Sequence, residues 1–434
     1  MSGSRRWFLA QSARLSAALP AALFGSALSG TGEVFAQGQT VTLSFVGPEQ
    51  PSAMAPVIAA FEAANPGIKV EYESVPFAQL NDILQTRLGS GDATPDVYTA
   101  DQPRIPALVS RGYLLDLTGE VSDISDRVLS SAVEASTVEK KLSALPVSTS
   151  TQVLYYNRDL LTKANLTAPS MDPKQRVTWE QVAKDAKTAK DAGSKWGFMF
   201  DQVSRVYQIL PLPESLGGGN GVTGDKSLTP AITNDAWVKA MTFYGQLFAS
   251  GLAPRGVAPE QTPDLFANGD VAFFVGGPWW IPKFAGMAGL NYGIAAHPYF
   301  EGGTPVTPTG AWSWGINPKT AHKAEALKFI EFATLDKQGS LETAKGIAIP
   351  PANKGALETY LAQESFNTAN IKGVADLIRY ELVNTAVIRP RTVGFIQFED
   401  VVGRALEDIR NGAEPKSTLD SASSELAAAW SRLG

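Results

Sequence analysis

The feature that most constrains this chain is an alternation between two hydrophobic periods, beginning at Val41. Val41-Thr-Leu-Ser-Phe-Val46 alternates apolar and polar residues with the period of two expected of a strand. Met54, Val57, Ile58 and Phe61 then fall at i, i+3, i+4 and i+7, one face of a helix, and Asn65-Pro66-Gly67 stops it. Ile68-Lys-Val-Glu-Tyr-Glu73 returns to the strand period. Leu80, Leu84 and Leu88 resume the helical one, and Val97-Tyr-Thr-Ala100 closes the series as a short strand. A βαβαβ opening predicts a largely parallel sheet with helices on both faces, because each crossover must lay a helix against the sheet. Ligands on such sheets sit at the carboxyl ends of the strands. Here those ends are Gly47-Pro-Glu-Gln-Pro-Ser52, Val75-Pro-Phe77 and Ala100-Asp-Gln-Pro103.

A second α/β block follows Pro146-Val-Ser-Thr-Ser-Thr-Gln-Val-Leu-Tyr-Tyr-Asn157. Thr178-Trp-Glu-Gln opens a helix in the manner of a capping box, and Asp235–Ser250 reads as another. Gly217-Gly-Gly-Asn-Gly221 lacks the Lys-Ser/Thr of a phosphate-binding loop, which leaves a flexible loop. The apolar run in Gly269-Asp-Val-Ala-Phe-Phe-Val-Gly-Gly-Pro-Trp-Trp280 is a strand that stops at Gly-Gly-Pro and meets two tryptophans at once. Trp312-Ser-Trp-Gly-Ile316 is a further strand. Helical faces follow at Ala326, Phe329, Ile330 and Ala333, at Val402, Leu406 and Ile409, and at Leu419, Ala422, Leu426 and Trp430.

The chain begins with Ser4-Arg5-Arg6-Trp7-Phe8-Leu9, then a mildly apolar stretch over Leu15–Leu28, then Val34-Phe35-Ala36. That order is an export signal over residues 1–36. The paired arginines and weak hydrophobicity point to the twin-arginine route, with a general secretory signal as the alternative. Removing it takes three arginines and one glutamate from a formal charge of −6 and leaves −8. An acidic exported chain without a basic run excludes nucleic acid and anionic membranes as partners. The chain has no cysteine, so it carries neither a disulfide nor a lipidated thiol to tether it. A freely soluble exported protein is retained only inside a second membrane, and the periplasm is the expected compartment.

Four stretches together resemble the family 1 extracellular solute-binding proteins, the receptors of ATP-driven sugar importers. They are Phe61-Glu-Ala-Ala-Asn-Pro-Gly-Ile-Lys-Val70 and Pro95-Asp-Val-Tyr-Thr-Ala-Asp101. They continue with Leu154-Tyr-Tyr-Asn-Arg-Asp-Leu160 followed by Thr178-Trp-Glu, and end with Gly269–Trp279 paired with Gly310-Ala-Trp-Ser-Trp-Gly-Ile-Asn317. The resemblance runs from about Val41 to Leu433. It implies an α/β, two-lobed periplasmic binding fold of type II, with two parallel-rich sheets flanked by helices and joined by crossing hinge segments. It implies a carbohydrate as ligand, closure of the lobes around it, and membrane permease subunits of an ABC importer as partners. The expected division is 37–148 with 313–365 in the first lobe and 149–312 with 366–434 in the second. Crossings are expected near Ser148–Tyr155, near Thr309–Trp314 and between Gly355 and Asn384. A monomer is expected, since a second subunit would lock a closing hinge.

A sugar needs flat aromatic faces for its axial hydrogens and directional polar groups for its hydroxyls. Adjacent side chains after a strand point to different sides, so one tryptophan of the Trp279-Trp280 pair faces a ligand and the other packs. The family sets an aromatic residue from this segment against the sugar, and Trp279 is the candidate. Trp312, after Gly310, lies where the family brings the chain past the ligand, and Trp314 shares its parity. Glu49, Gln50 and Asp101 at strand tips are candidate hydroxyl acceptors, Asp101 alternatively a helix cap. Ser150 and Thr151 sit on the first crossing and Tyr156 at its end, where it is equally a buried strand residue. In Arg389-Pro390-Arg391, a guanidinium can grip vicinal hydroxyls or an anionic group, or can bridge the lobes.

Catalysis is the weaker expectation. A glycosidase needs two carboxylates flanking one bond, and no local pattern singles out a pair among 43 acidic residues. A serine hydrolase would show a G-x-S-x-G turn, which is missing. His297 and His322 are the two histidines; without cysteine, no zinc or copper site and no cofactor is expected. The alternative ligand is an anionic sugar derivative, a phosphate, sulfonate or uronate, anchored by Arg389 and Arg391.

Overall fold

A computed structural model describes residues 40–203 and 205–433. The expected export signal, 1–36, lies outside the described residues. Strand β1 (Val41–Gly47), helix α1 (Pro51–Ala64), strand β2 (Ile68–Ser74), helix α2 (Phe77–Ser90) and strand β3 (Val97–Asp101) follow the periodicity of the sequence closely. β1 pairs in parallel with β2 along its whole length, from Val41↔Ile68 to Gly47↔Ser74, and with β3 on its other side. The chain then reaches β4 (Leu145–Pro146) and crosses to β5 (Val153–Asn157). Helix α3 (Trp179–Asp191) starts at Thr178, whose hydroxyl accepts from the Gln181 amide at 3.2 Å.

The second sheet is completed by β6 (Trp196–Phe200), β7 (Val271–Gly276) and β8 (Tyr292–Ala295), with helix α4 (Asp235–Ala249) between the first two. β9 (Thr307–Thr309) leads back to β10 (Trp312–Ile316) in the first sheet. Helices α5 (Lys323–Thr334), α6 (Lys337–Ile347) and α7 (Lys354–Leu361) follow. β11 (Ala386–Ile388) pairs in parallel with β9, and α8 (Phe395–Asn411) and α9 (Pro415–Trp430) end the chain.

The sheet orders are β2-β1-β3-β10-β4 and β8-β5-β7-β6. In each, one strand runs against the rest: β10 is antiparallel to both its neighbours in the first, β5 to both of its neighbours in the second. The cause is topological. β5 and β10 are the strands the chain enters directly from a crossing segment. They therefore start at the edge where the other strands end, and run away from it. Trp312, the first residue of β10, accordingly pairs with Asp101, the last residue of β3.

Both sheets are covered on two faces, which explains strands buried along their length. In the first, Leu43, Phe45, Trp314 and Ile316 pack with Phe329 and Ile330 of α5, while Val46 and Tyr98 face Leu80 and Leu84 of α2. In the second, Leu154, Tyr156, Phe198 and Phe273 pack with Trp179 and Met241, while Tyr155, Met199 and Phe274 face Phe266 and Phe284. Each fully buried large side chain contributes about 1.5–3 kcal/mol. Trp314, left open between core and ligand by its parity, lies in the core, stacked on Phe329 at 5.5 Å.

Candidate functional site

Three chain segments meet where the strands of both sheets end. Ser150 belongs to the first crossing, and its Oγ donates to the carbonyl of Gly310 on the second at 2.6 Å. β11 runs beside β9, so its successor Arg389 emerges next to Gly310. Gly310 has φ +94°, which a side chain would strain, and a Cβ there would lie 3.1 Å from Gln102 Oε1. That oxygen accepts from the Ala311 amide at 2.9 Å and fixes the segment to the tip of β3.

At this junction lies a cavity of about 350 Å3, within the range of small-molecule sites. Its first-sheet wall carries Glu49, Asp101 and Trp312. Its second-sheet wall carries Gln202, Arg205, Tyr207, Trp279 and Trp280. Ser150, Gly310 and Arg389 contribute from the crossings, Glu399 from α8, and Ile347, Ala348 and Ile349 from the end of α6 and the turn after it. A wider depression of about 740 Å3 surrounds Asp126, Glu331 and Lys354 elsewhere. Among the described residues, none of its lining belongs to a sheet strand and most of it is charged, so the smaller cavity is the candidate site.

The aromatic wall is built by close packing. The Trp279 ring lies over Gly277, where a Cβ would come within 1.9 Å of it, so glycine is required by contact rather than by φ. The Gly277 carbonyl accepts from Tyr155 Oη at 2.7 Å, which ties the turn to the core. Trp280 lines the cavity too. Its ring stacks on Phe284 at 6.4 Å, and Lys283 Nζ sits 5.5 Å from its centre. The expectation that one tryptophan faces inward and the other only packs is therefore corrected: residues 278–280 form a short helical turn, not extended chain, and both rings reach the cavity. Tyr207 adds a third ring 6.5 Å from Trp279, and its hydroxyl is 2.8 Å from Ser150 Oγ.

Charge is distributed in a chain across the floor. Arg389 forks Asp101, with Nη1 donating to Oδ2 at 3.0 Å and Nη2 to Oδ1 at 2.6 Å, and both side chains are under a tenth exposed. Arg104 lies 3.7 Å from the same carboxylate and itself pairs with Glu399. Burial pulls the Arg389 pKa down, but Asp101 outweighs it and holds the guanidinium above the usual arginine range. Asp101, expected at a strand tip as a hydroxyl acceptor, lines the cavity as the partner of this buried ion pair. It does not cap a helix with its side chain. Glu49 differs: burial alone pushes its carboxyl up to about 7. Behind the tryptophans, burial pushes Asp201 up to about 6 against the pull of Trp280, Thr262 and Trp279.

Of the ten expected site residues, Glu49, Asp101, Ser150, Trp279, Gly310, Trp312 and Arg389 converge on the cavity. Three do not line it. Gln50 is exposed one residue before α1, where its side chain makes no cap bond. Thr151 lies on the crossing but is fully buried. Tyr156 is a core residue of β5, its ring close over Gly293. Arg391 also lies off the cavity wall, paired with Glu134 and the Thr137 carbonyl. Sequence reasoning missed Gln202, Arg205 and Tyr207, although they follow the end of β6 and the strand-end rule reaches them. Nothing in the sequence marks Ile347, Ala348, Ile349 or Glu399.

A family model described as "Bacterial extracellular solute-binding protein" matches residues 47–340. The galactooligosaccharide-binding protein of Bacillus subtilis is 28% identical over 316 residues, 70% of each chain. The mannitol-binding protein of Pseudomonas aeruginosa is 23% identical over 361 residues, 79% of this chain and 80% of its own. Among solved structures, an ABC substrate-binding protein from Listeria monocytogenes in complex with cycloalternan superposes with a TM-score of 0.78 at 22% identity, covering 90% of this chain and 99% of its own. This likeness shows the fold: two sheets flanked by helices, the type II periplasmic binding architecture.

Proposed function

The chain belongs to the bacterial extracellular solute-binding proteins, and from that premise we propose that it captures a small carbohydrate in the cleft between two lobes and delivers it to the permease of an ABC importer. The observation that carries this reading is the pairing across one cavity of an aromatic wall, Trp279, Trp280 and Tyr207, with the carboxyl of Glu49 and the ring of Trp312. Flat rings take the apolar faces of a pyranose or the carbon chain of a polyol, and the polar groups take hydroxyls. A ligand touching both walls favours the closed arrangement by the contacts it lacks when the walls part.

The two sheets are read as the cores of the two lobes, 37–148 with the return from 313, and 149–312 with the end of the chain. Ala352 packs with the first sheet's core, whereas Leu357, Tyr360 and Leu361 pack with Phe266 and Phe274 of the second. Ala344 of α6 also packs with that second core, so the packing favours a last crossing ahead of the boundary at 365 suggested by sequence. Residues 1–36 are read as a twin-arginine export signal and the periplasm as the compartment, with the protein acting as an untethered monomer. Among the described residues, no helix is long and apolar enough to cross a membrane.

The anionic-ligand alternative is less favoured: of its two expected anchors, Arg389 is forked by Asp101 and Arg391 is paired with Glu134 off the cavity wall. Binding without turnover is favoured over glycoside hydrolysis: of the three carboxyls lining the cavity, Asp101 and Glu399 are each paired with an arginine, which leaves Glu49, whereas hydrolysis needs two carboxyls flanking one bond. The test is a thermal-shift screen against monosaccharides, disaccharides, polyols, glycosides and uronates, with the ligand recovered and analysed after long incubation. One carbohydrate class should raise the melting temperature, and ligand at 100-fold its Kd adds about 2.7 kcal/mol. The Trp279→Ala variant should lose that shift, and the ligand should be recovered unchanged. A shift with uronates alone, or a cleaved ligand, would overturn the reading.

A further inference from the structure

The turn after α6 gives the cavity a wall that stacking does not explain. Ile347, Ala348 and Ile349 line it, and the segment is built to hold one shape. Gly346 is pressed so close to α1 that a Cβ would meet the Ala53 carbonyl oxygen at 1.9 Å. Ala348 is held at φ 55°, ψ 26°, a left-handed conformation that a non-glycine residue adopts only under constraint from its surroundings. On the far side of the turn, the Pro350 carbonyl accepts from the Thr149 amide at 2.9 Å, and Ala352 donates to Val147. The isoleucines therefore ride on a backbone fixed at both ends.

Ile347 also packs against the core of the first sheet, but among the described residues Ile349 joins no core cluster. It is half-buried and lines the cavity. A β-branched aliphatic side chain is a poor neighbour for a ring that carries hydroxyls around its edge. It has no donor or acceptor to replace the water a hydroxyl loses, and its ridged surface does not offer the flat face that axial hydrogens prefer. Its natural complement is an alkyl or aryl group.

Resting on the reading of the cleft as a carbohydrate site, we infer that the ligand is a glycoside with an apolar aglycone: a small sugar bearing an alkyl or aryl substituent, the glycone against Trp279 and Glu49 and the substituent against Ile347 and Ile349. A compact cavity of about 350 Å3 suits such a ligand better than a long, uniformly hydroxylated chain.

The experiment is calorimetric titration of the full chain with matched probes: the methyl and phenyl β-glycosides of glucose, galactose, mannose and xylose, and the disaccharides cellobiose and lactose. For the glycone that binds, the phenyl glycoside should bind about tenfold or more tighter than the methyl glycoside, as expected from burying part of one aromatic ring. It should also exceed the disaccharide. In Ile349→Ser, and again in Ile349→Ala, the phenyl-to-methyl affinity ratio should fall at least threefold. Equal affinities for methyl and phenyl glycosides, a disaccharide that binds tighter than either, or a ratio untouched by both variants would overturn this inference while leaving sugar capture standing. Failure of every sugar and glycoside would instead remove the carbohydrate reading itself, and this inference with it.

Discussion

Asp101→Asn is the substitution whose outcome the structure fixes most sharply. The carboxylate sits between Arg389, which forks it at 2.6 and 3.0 Å, and Arg104 at 3.7 Å, with less than a tenth of either the Asp101 or the Arg389 side chain exposed. The amide keeps the shape and one acceptor but removes the charge. Two guanidinium groups are left near each other on the cavity floor, with only the partly exposed Glu399 to offset them. Breaking one side of a buried pair costs about 3–5 kcal/mol, chiefly the penalty of the stranded charge. With an unfolding entropy of roughly 2.1 cal/mol/K per residue over about 400 folded residues, each kcal/mol lowers the melting point by about 1.2 °C, so a fall of roughly 4–6 °C is expected. The assay is calorimetric or denaturant unfolding of wild type, Asp101→Asn, Arg389→Met and the double variant. Removing both partners abolishes the stranded charge, so the double variant should recover about 2 kcal/mol relative to the sum of the singles. Because the pair is buried, raising the salt to ~1 M should change these differences little. A single variant within 1 °C of wild type, or singles that simply add, would refute the claim that this pair is what orders the cleft floor.

Trp279→Ala should weaken carbohydrate binding by about 2 kcal/mol, roughly thirtyfold in Kd, from the apolar area it withdraws; titration calorimetry reads this directly. Gly277→Ala should displace the Trp279 ring, since a Cβ would sit within 1.9 Å of it, and should alter the near-ultraviolet circular dichroism as well as the affinity. The pH dependence has a definite sign. Glu49 has a folded pKa of about 7 against an ordinary value of 4.5, so the native state holds more protons than the unfolded chain in that window. Its contribution is fully present below about pH 4.5 and is lost as the pH rises through 7. Urea unfolding of the unliganded protein at pH 4.5 and pH 7.5 should show a fall in wild type that Glu49→Gln reduces; an identical fall in both would assign it to other groups.

Much of the first sheet was legible because the crossovers joining β1, β2 and β3 are local. Five elements from Val41 to Asp101 alternate period two with period 3.6, and the parallel order β2-β1-β3 follows from that alternation. The tips were legible for the same reason, which is why Glu49 and Asp101 were placed correctly at strand ends. Their chemistry was not. Arg389 lies 288 positions from Asp101 in sequence, and no local pattern records that the carboxylate would meet a guanidinium there. Tyr156 was left open by the converse ambiguity, since a tyrosine on a strand reads the same whether its face meets a ligand or a helix; the fold puts it in the core.

Composition, period and turn residues by themselves determined which segments became strands and helices, that an α/β fold would result, and that the run ending in Gly-Gly-Pro-Trp-Trp would present aromatic side chains at a strand end. Only the tertiary structure decided which of those side chains share one cavity. It brought the fixed turn at Ile347–Ile349 against the site, turned both Trp279 and Trp280 inward through a helical turn, and committed Asp101 to Arg389. The physical reason is range. Hydrophobic period and backbone propensity act over a few residues and are written locally, whereas the state of a buried charge depends on whichever group the completed fold sets within about 4 Å of it.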